Sequence, residues 1–212
     1  MAKLTNKMIS NRLGFKWYCA AGVMVSVLSA GAMAANAPSF DCTKVNAGSI
    51  EDMVCKDAGL NQLDNQLAKV YSQALEKAKN EQPPTLKAMQ RGWGKGRNEC
   101  WKSDDKHACI QSSYQTRIAE LQAQYRLVEM TGPVSYACDG SPANELVVTY
   151  FKTEPATLIA ERGDQTSLMF VQPSGSGAKY QGRNESLWEH QGEAKVVWGY
   201  DTPEMTCKLV TK

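Results

Sequence analysis

Histidine is nearly missing from this chain: 212 residues contain two, His107 and His190. That leaves little room for imidazole-based catalysis or a histidine-rich metal site. None of the seven cysteines stands in a C-x-x-C pair, and their spacings match no zinc site. No metal and no cofactor is therefore expected. Internal repeats and low-complexity tracts are absent, as are the several long apolar runs of a polytopic membrane protein. Neither sign of charge dominates, with 24 basic and 22 acidic residues. A broad nucleic-acid surface thus lacks electrostatic support. What remains, 42% hydrophobic and 22% charged residues, suits a globular protein.

The N-terminus is organised differently from the rest. Lys3, Lys7, Arg12 and Lys16 precede an apolar run from Trp17 to Ala30, and Ala32-Met33-Ala34 offers a small-residue cleavage pattern. This is the layout of a secretory signal peptide, expected over residues 1–34. Cys19 lies inside the apolar run behind Lys16-Trp17-Tyr18, not at its end behind small residues, so a lipoprotein cysteine is not expected. The reading is a soluble periplasmic protein without a membrane anchor. Removing the four basic residues of the leader leaves 20 basic and 22 acidic, net −2. Residues 35–128 hold 13 basic and 11 acidic side chains, net +2, whereas residues 129–212 hold 7 and 11, net −4. The acidic half favours a basic partner.

Six cysteines remain after export: Cys42, Cys55, Cys100, Cys109, Cys138 and Cys207. In an oxidising compartment an even number reads as three disulfides. Bridges confined to each half would pair Cys138 with Cys207. The first four cysteines allow three pairings, and the sequence does not choose among them.

The two halves differ in periodicity. Ser49 with Asp52 resembles a capping box before a short helix ending near Cys55. Leu60, Leu63, Leu67, Val70, Tyr71 and Ala74 recur at three- and four-residue steps, one apolar helix face. Further helices are predicted over 85–100 and 108–128. Gly92, Gly94 and Gly96 predict a bend or break in the first of these. Gly92-Trp-Gly-Lys-Gly96 lacks the preceding strand and the spacing of a phosphate loop. Beyond Met130 the texture changes to short strand-like runs at 146–151, 157–159, 167–171 and 194–198, with Gly, Pro, Asn and Asp between them. The expected architecture is α+β in two domains, a disulfide-linked helical domain over 35–129 and a small antiparallel barrel or sandwich over 130–212.

Two loops stand out in the second half. Ser174-Gly-Ser176-Gly177-Ala178-Lys179-Tyr180 is flexible and rich in donors. Trp188-Glu-His190-Gln-Gly-Glu193-Ala194 is a turn with an aromatic at its start and an acid near its end. A Gly/Ser loop can push its backbone into a narrow cleft and donate to carboxylates there. With Tyr136-x-Cys138, Ala160-Glu-Arg-Gly163 and the terminal Cys207, these motifs resemble the MliC/PliC family of bacterial inhibitors of c-type lysozyme, over nearly the whole second half. The resemblance implies an eight-stranded antiparallel barrel with a disulfide. It also implies that Ser176 and the residue at position 190 enter the lysozyme cleft to meet its catalytic carboxylates. The lysozyme-binding set would be Ser174, Ser176, Gly177, Ala178, Lys179, Tyr180, Trp188, His190 and Glu193. His190-Gln191 replaces the family's Lys-Gly. An imidazole is shorter than a lysine side chain and titrates at about pH 6.5. Inhibition is therefore expected to strengthen as pH falls. Of Tyr180, Trp188 and Trp198, core packing is expected to claim at least two.

The first half carries a second string of motifs: Ser39-Phe-Asp-Cys42, Glu51-x-x-Val-Cys55, Leu60-x-x-Leu-Asp64-x-x-Leu-x-x-x-Tyr71, Gln90-Arg-x-Trp93, Arg97-x-x-Cys100, Cys109 and Tyr114-x-x-Arg117-Ile-x-x-Leu121. Over residues 39–124 this resembles the LprI N-terminal domain family, which implies a helical, exported domain linked to lysozyme inhibition. Asp64, Arg91, Arg97 and Arg117 are expected to tie helices together more than to form a binding face. The leading reading is a non-catalytic inhibitor of c-type lysozyme. The alternative is an envelope module that binds peptidoglycan or another protein. An enzyme reading would need Glu189 and Glu193 as an acid pair across a cleft.

Overall fold

The structure, a computed structural model, describes residues 37–82 and 84–210. The expected signal peptide, with Cys19 and the Ala32–Ala34 pattern, lies outside the described residues, as does Pro83.

The first half contains four helices, α1 (Ile50–Lys56), α2 (Ala58–Lys77), α3 (Leu86–Asn98) and α4 (Lys106–Gln124). Three start on side-chain caps. Ser49 accepts from the Asp52 amide, Asp57 from that of Leu60, and Asp105 from that of Ala108, each worth about 1 kcal/mol. The hydrogen bond from the Leu60 amide holds the Asp57 carboxyl below its ordinary value, with His107 nearby adding to it. α2 buries Leu60, Leu67, Val70 and Ala74, and α4 buries Ile110, Tyr114, Ile118 and Leu121. The two helices run parallel, since Asp57 meets His107, Asp64 meets Tyr114 and Glu81 meets Tyr125. The disulfides are Cys42–Cys55 and Cys100–Cys109, which staple the entry to α1 and the turn before α4.

The predicted bend in α3 is not there. The helix runs unbroken through Gly92, Gly94 and Gly96. Its inner side explains why: Leu86 and Arg97 are buried, and the indole of Trp93 donates to the Ser113 carbonyl of α4 and packs edge-on against Tyr114. Tertiary anchoring outweighs the local propensity. Apart from adjoining residues and the helix's own backbone, no atom among the described residues lies within 4 Å of a Cβ added at Gly92 or Gly96. Gly92→Ala and Gly96→Ala are therefore each expected to raise stability by about 1 kcal/mol, read as an upward shift of the urea midpoint. A drop would mean that a contact with the glycine backbone had been lost.

Asp64, Arg97 and Arg117 are buried, whereas Arg91 is exposed. Arg97 donates to Tyr114 Oη at 2.6 Å and to Glu51 Oε1 at 2.7 Å. Tyr114 in turn donates to Asp64 Oδ1, and Asp64 Oδ2 accepts the Ser39 amide. One polar chain therefore links all of α1, α2, α3 and α4. Arg117 bonds Gln90 and Glu120.

The second half is a closed barrel of eight antiparallel strands in sequence order: β1 (Met130–Cys138), β2 (Glu145–Phe151), β3 (Thr157–Arg162), β4 (Gln165–Gln172), β5 (Ala178–Gln181), β6 (Glu185–His190), β7 (Glu193–Trp198) and β8 (Met205–Leu209). Alternate residues fill the interior, among them Leu146, Val148, Leu158, Ala160, Met169, Leu187, Ala194 and Val196. β1 pairs with β8 to close the sheet, and the Cys138–Cys207 disulfide joins that pair at directly opposed positions.

Candidate functional site

The two prominent loops meet at one end of the β5–β6–β7 sheet. Residues at positions 187 and 189 of β6 face inward, so Trp188 and His190 face out. Opposite them, Lys179 of β5 pairs with Trp188, Trp188 with Lys195, and His190 with Glu193. Ser176, Trp188, His190, Gln191, Glu193 and Lys195 line an open depression of about 370 Å³.

The Ser174–Tyr180 loop is held by its backbone. The Ser176 carbonyl accepts both the Trp188 indole N–H at 2.9 Å and the Ser174 hydroxyl at 2.6 Å. Its own hydroxyl is left at the surface. Gly177 has φ +65°, and a Cβ there would lie 2.1 Å from the Glu189 carbonyl oxygen. Only glycine lets the loop lie this close to β6. The β6–β7 turn is formed by Gln191 and Gly192 with φ +52° and +80°. Two consecutive positive φ values match the twist of a tight hairpin and place His190 and Glu193 side by side.

Four of the expected contact residues, Ser176, Trp188, His190 and Glu193, thus share the depression. Ser174 and Gly177 shape the loop behind it, and Lys179 lies on the outer face beside Trp188. Ala178 and Tyr180 turn the other way: Tyr180 belongs to the barrel core and Ala178 packs against it. Trp198 is buried too, whereas Trp188 is 43% exposed. Lys195 is a member that sequence reading missed. It bonds Thr206 at 2.6 Å and lies 3.9 Å from Glu193. Its signal was the two-residue step from Glu193 along β7, which puts both on one face.

Glu189 and Glu193 do not face one another. Glu193 is on the outer face, while the Glu189 carboxylate points inward and accepts from the Tyr150 hydroxyl at 3.4 Å. Tyr136, Tyr150 and Tyr180 cluster near it, and burial pushes all three phenols above their ordinary value of 10.0. Unfolded chains ionise these phenols first, so the stability they support is complete below pH 10 and is lost as pH rises beyond it. Urea midpoints are expected to fall steeply between about pH 10 and 11.5, and less steeply in Tyr150→Phe. Equal slopes would place the alkaline sensitivity elsewhere. Among the described residues no cluster of three or more His, Cys, Asp or Glu side chains could hold a metal ion, and no helix is long and apolar enough to cross a membrane.

Comparison with known proteins agrees with this layout in the same order along the chain. Residues 42–121 match the family described as lysozyme inhibitor LprI. Residues 136–205 match the family described as membrane-bound lysozyme-inhibitor of c-type lysozyme. Proteins named lipoprotein LprI from Mycobacterium tuberculosis and Mycobacterium bovis are 33% identical over 186 residues, which cover 82% of this chain and 92% of theirs. The match to those relatives spans both the helical half and the barrel, and the chain belongs to the LprI family of lysozyme inhibitors.

Proposed function

We propose that this protein is a non-catalytic inhibitor of c-type lysozyme that blocks the enzyme's cleft with the β5 entry loop and the β6–β7 turn. The observation that carries the reading is the grouping of Ser176, Trp188, His190 and Glu193 around one depression on the outer face of the barrel. The Ser176 hydroxyl, on a backbone fixed by Trp188 and Ser174, is the group offered to the catalytic carboxylates. His190 occupies the position of the family lysine, and Lys195 supplies an ammonium in the same depression. The net −4 of residues 129–212 complements a basic enzyme and speeds encounter. On this reading residues 1–34 are a cleaved leader, residues 35–129 and 130–212 are the two domains, and the mature chain is periplasmic and carries no lipid.

The test is lysis of bacterial cell walls by a c-type lysozyme, titrated with the mature chain. Ser176→Ala is expected to weaken inhibition roughly tenfold, the loss of one charge-assisted hydrogen bond. The unsubstituted chain is expected to inhibit more strongly at about pH 6 than at about pH 8, as an imidazole facing carboxylates gains its proton. His190→Ala should remove that slope. Inhibition unchanged in both variants would move the site away from these loops.

A further inference from the structure

The helical domain carries a row of cations that its own fold does not use. Lys87, Arg91 and Lys95 follow one another at four-residue steps along α3 and are all exposed, so they form one stripe spanning about 12 Å. Residues 86–98 contain no acid. Among the described residues none of the three forms an ion pair, although neighbours such as Lys79 and Lys102 do. Beside the row, Ala88, Gly92 and Gly96 leave the helix surface bare. Just past the helix, Trp101 is 60% exposed with Lys102 Nζ 5.4 Å from its ring centroid.

This geometry selects among anionic partners. A strand of polyanion is gripped by a cleft with basic walls, but here the cations stand in a single row on a convex helix. A planar surface with closely spaced negative headgroups meets all three at once. An exposed indole just past the end of the helix favours the boundary between headgroups and hydrocarbon. A basic enzyme is repelled from this face. We propose that α3 docks through Lys87, Arg91 and Lys95 on the surface of an anionic phospholipid bilayer. The barrel's acidic half then stays free to meet a basic protein. The inference does not depend on the lysozyme reading.

The experiment is co-sedimentation of the mature chain with vesicles of phosphatidylcholine mixed with phosphatidylglycerol, and with vesicles of phosphatidylcholine alone. Binding is expected only to the mixed vesicles, and is expected to vanish at about 0.5 M salt. The triple variant Lys87→Glu, Arg91→Glu, Lys95→Glu should bind about 100-fold more weakly. Reversing Lys69, Lys77 and Lys106 instead should cost much less. Near-ultraviolet circular dichroism checks folding, and the Gln version of the row variant serves if the Glu version does not fold. Absence of binding to the mixed vesicles overturns the proposal, as does equal loss in the two triple variants. Binding to soluble polyphosphate with the same dependence on the row overturns the bilayer as the occupant.

Discussion

Replacing Gly177 by alanine is expected to weaken lysozyme inhibition about 100-fold, a loss near 2.7 kcal/mol, while the barrel stays folded. Two physical costs converge on this residue. Its φ of +65° is left-handed, which costs an L-residue about 1–2 kcal/mol. The added methyl would also lie 2.1 Å from the Glu189 carbonyl oxygen, a backbone atom of β6 that cannot swing away. The loop has to lift. The hydrogen bond from the Trp188 indole to the Ser176 carbonyl is then broken, and both Ser176 and Trp188 lose their placement beside His190. Residues 173–177 are exposed, and β5 to β8 remain joined by their own ladders and by the Cys138–Cys207 closure. The expected pattern is therefore a large loss in the lysis assay with a urea midpoint close to that of the parent. Full inhibition by a folded Gly177→Ala protein would remove this loop from the interface.

Arg97→Leu is expected to destabilise the helical domain by about 3–5 kcal/mol, the usual result of removing one partner from a buried ionic network. The guanidinium lies buried between the Trp93 and Tyr114 rings, each 5.5 Å away. It satisfies Glu51 and Tyr114 together. Without it, the Asp64–Tyr114 pair and the Glu51 carboxylate remain in place with no positive charge among them. Partial burial opposes the ionisation of Glu51, but the Asn98 amide, its own backbone amide and the Arg97 charge outweigh it and hold the carboxyl below its ordinary 4.5. A lowered carboxyl contributes stability above its unfolded value and loses it as pH falls through the folded one. The gap between parent and Arg97→Leu should therefore be widest near neutrality and narrow below pH 4.5. Urea unfolding followed by helical circular dichroism at several pH values checks both statements. A gap that is constant with pH would assign the loss to packing.

The division into a helical and a strand-rich half was legible because periodicity is a local property. The three- and four-residue steps of Leu60, Leu67, Val70 and Ala74, and the cap at Ser49, depend on neighbours within one or two turns. The same holds for the alternating runs of β2, β4 and β7. The candidate loops were legible too, since their Gly and Ser content and the Trp188–Glu193 pattern are contiguous. β1, β6 and β8 were not read as strands from their own composition. β1 carries Gly132-Pro133, β6 mixes charged and apolar residues, and β8 has only five residues; their pairing partners lie on separate strands.

Other features were decided only by the tertiary structure. A run holding three glycines reads as a broken helix until Trp93 and Arg97 are seen anchored against α4. Cys42 meets Cys55, and Cys100 meets Cys109, only once α1, α3 and α4 are placed. Tyr180 and Trp188 are equally apolar in sequence, but the pleat sends one into the core and the other outward. Lys195 joins the site because a strand places every second residue on one face, and the next strand brings His190 to the same edge. Sequence sets each segment's local preference and the chemistry of its side chains. Which distant groups come together depends on packing and chain closure, because those energies arise between segments that only the folded chain brings into contact.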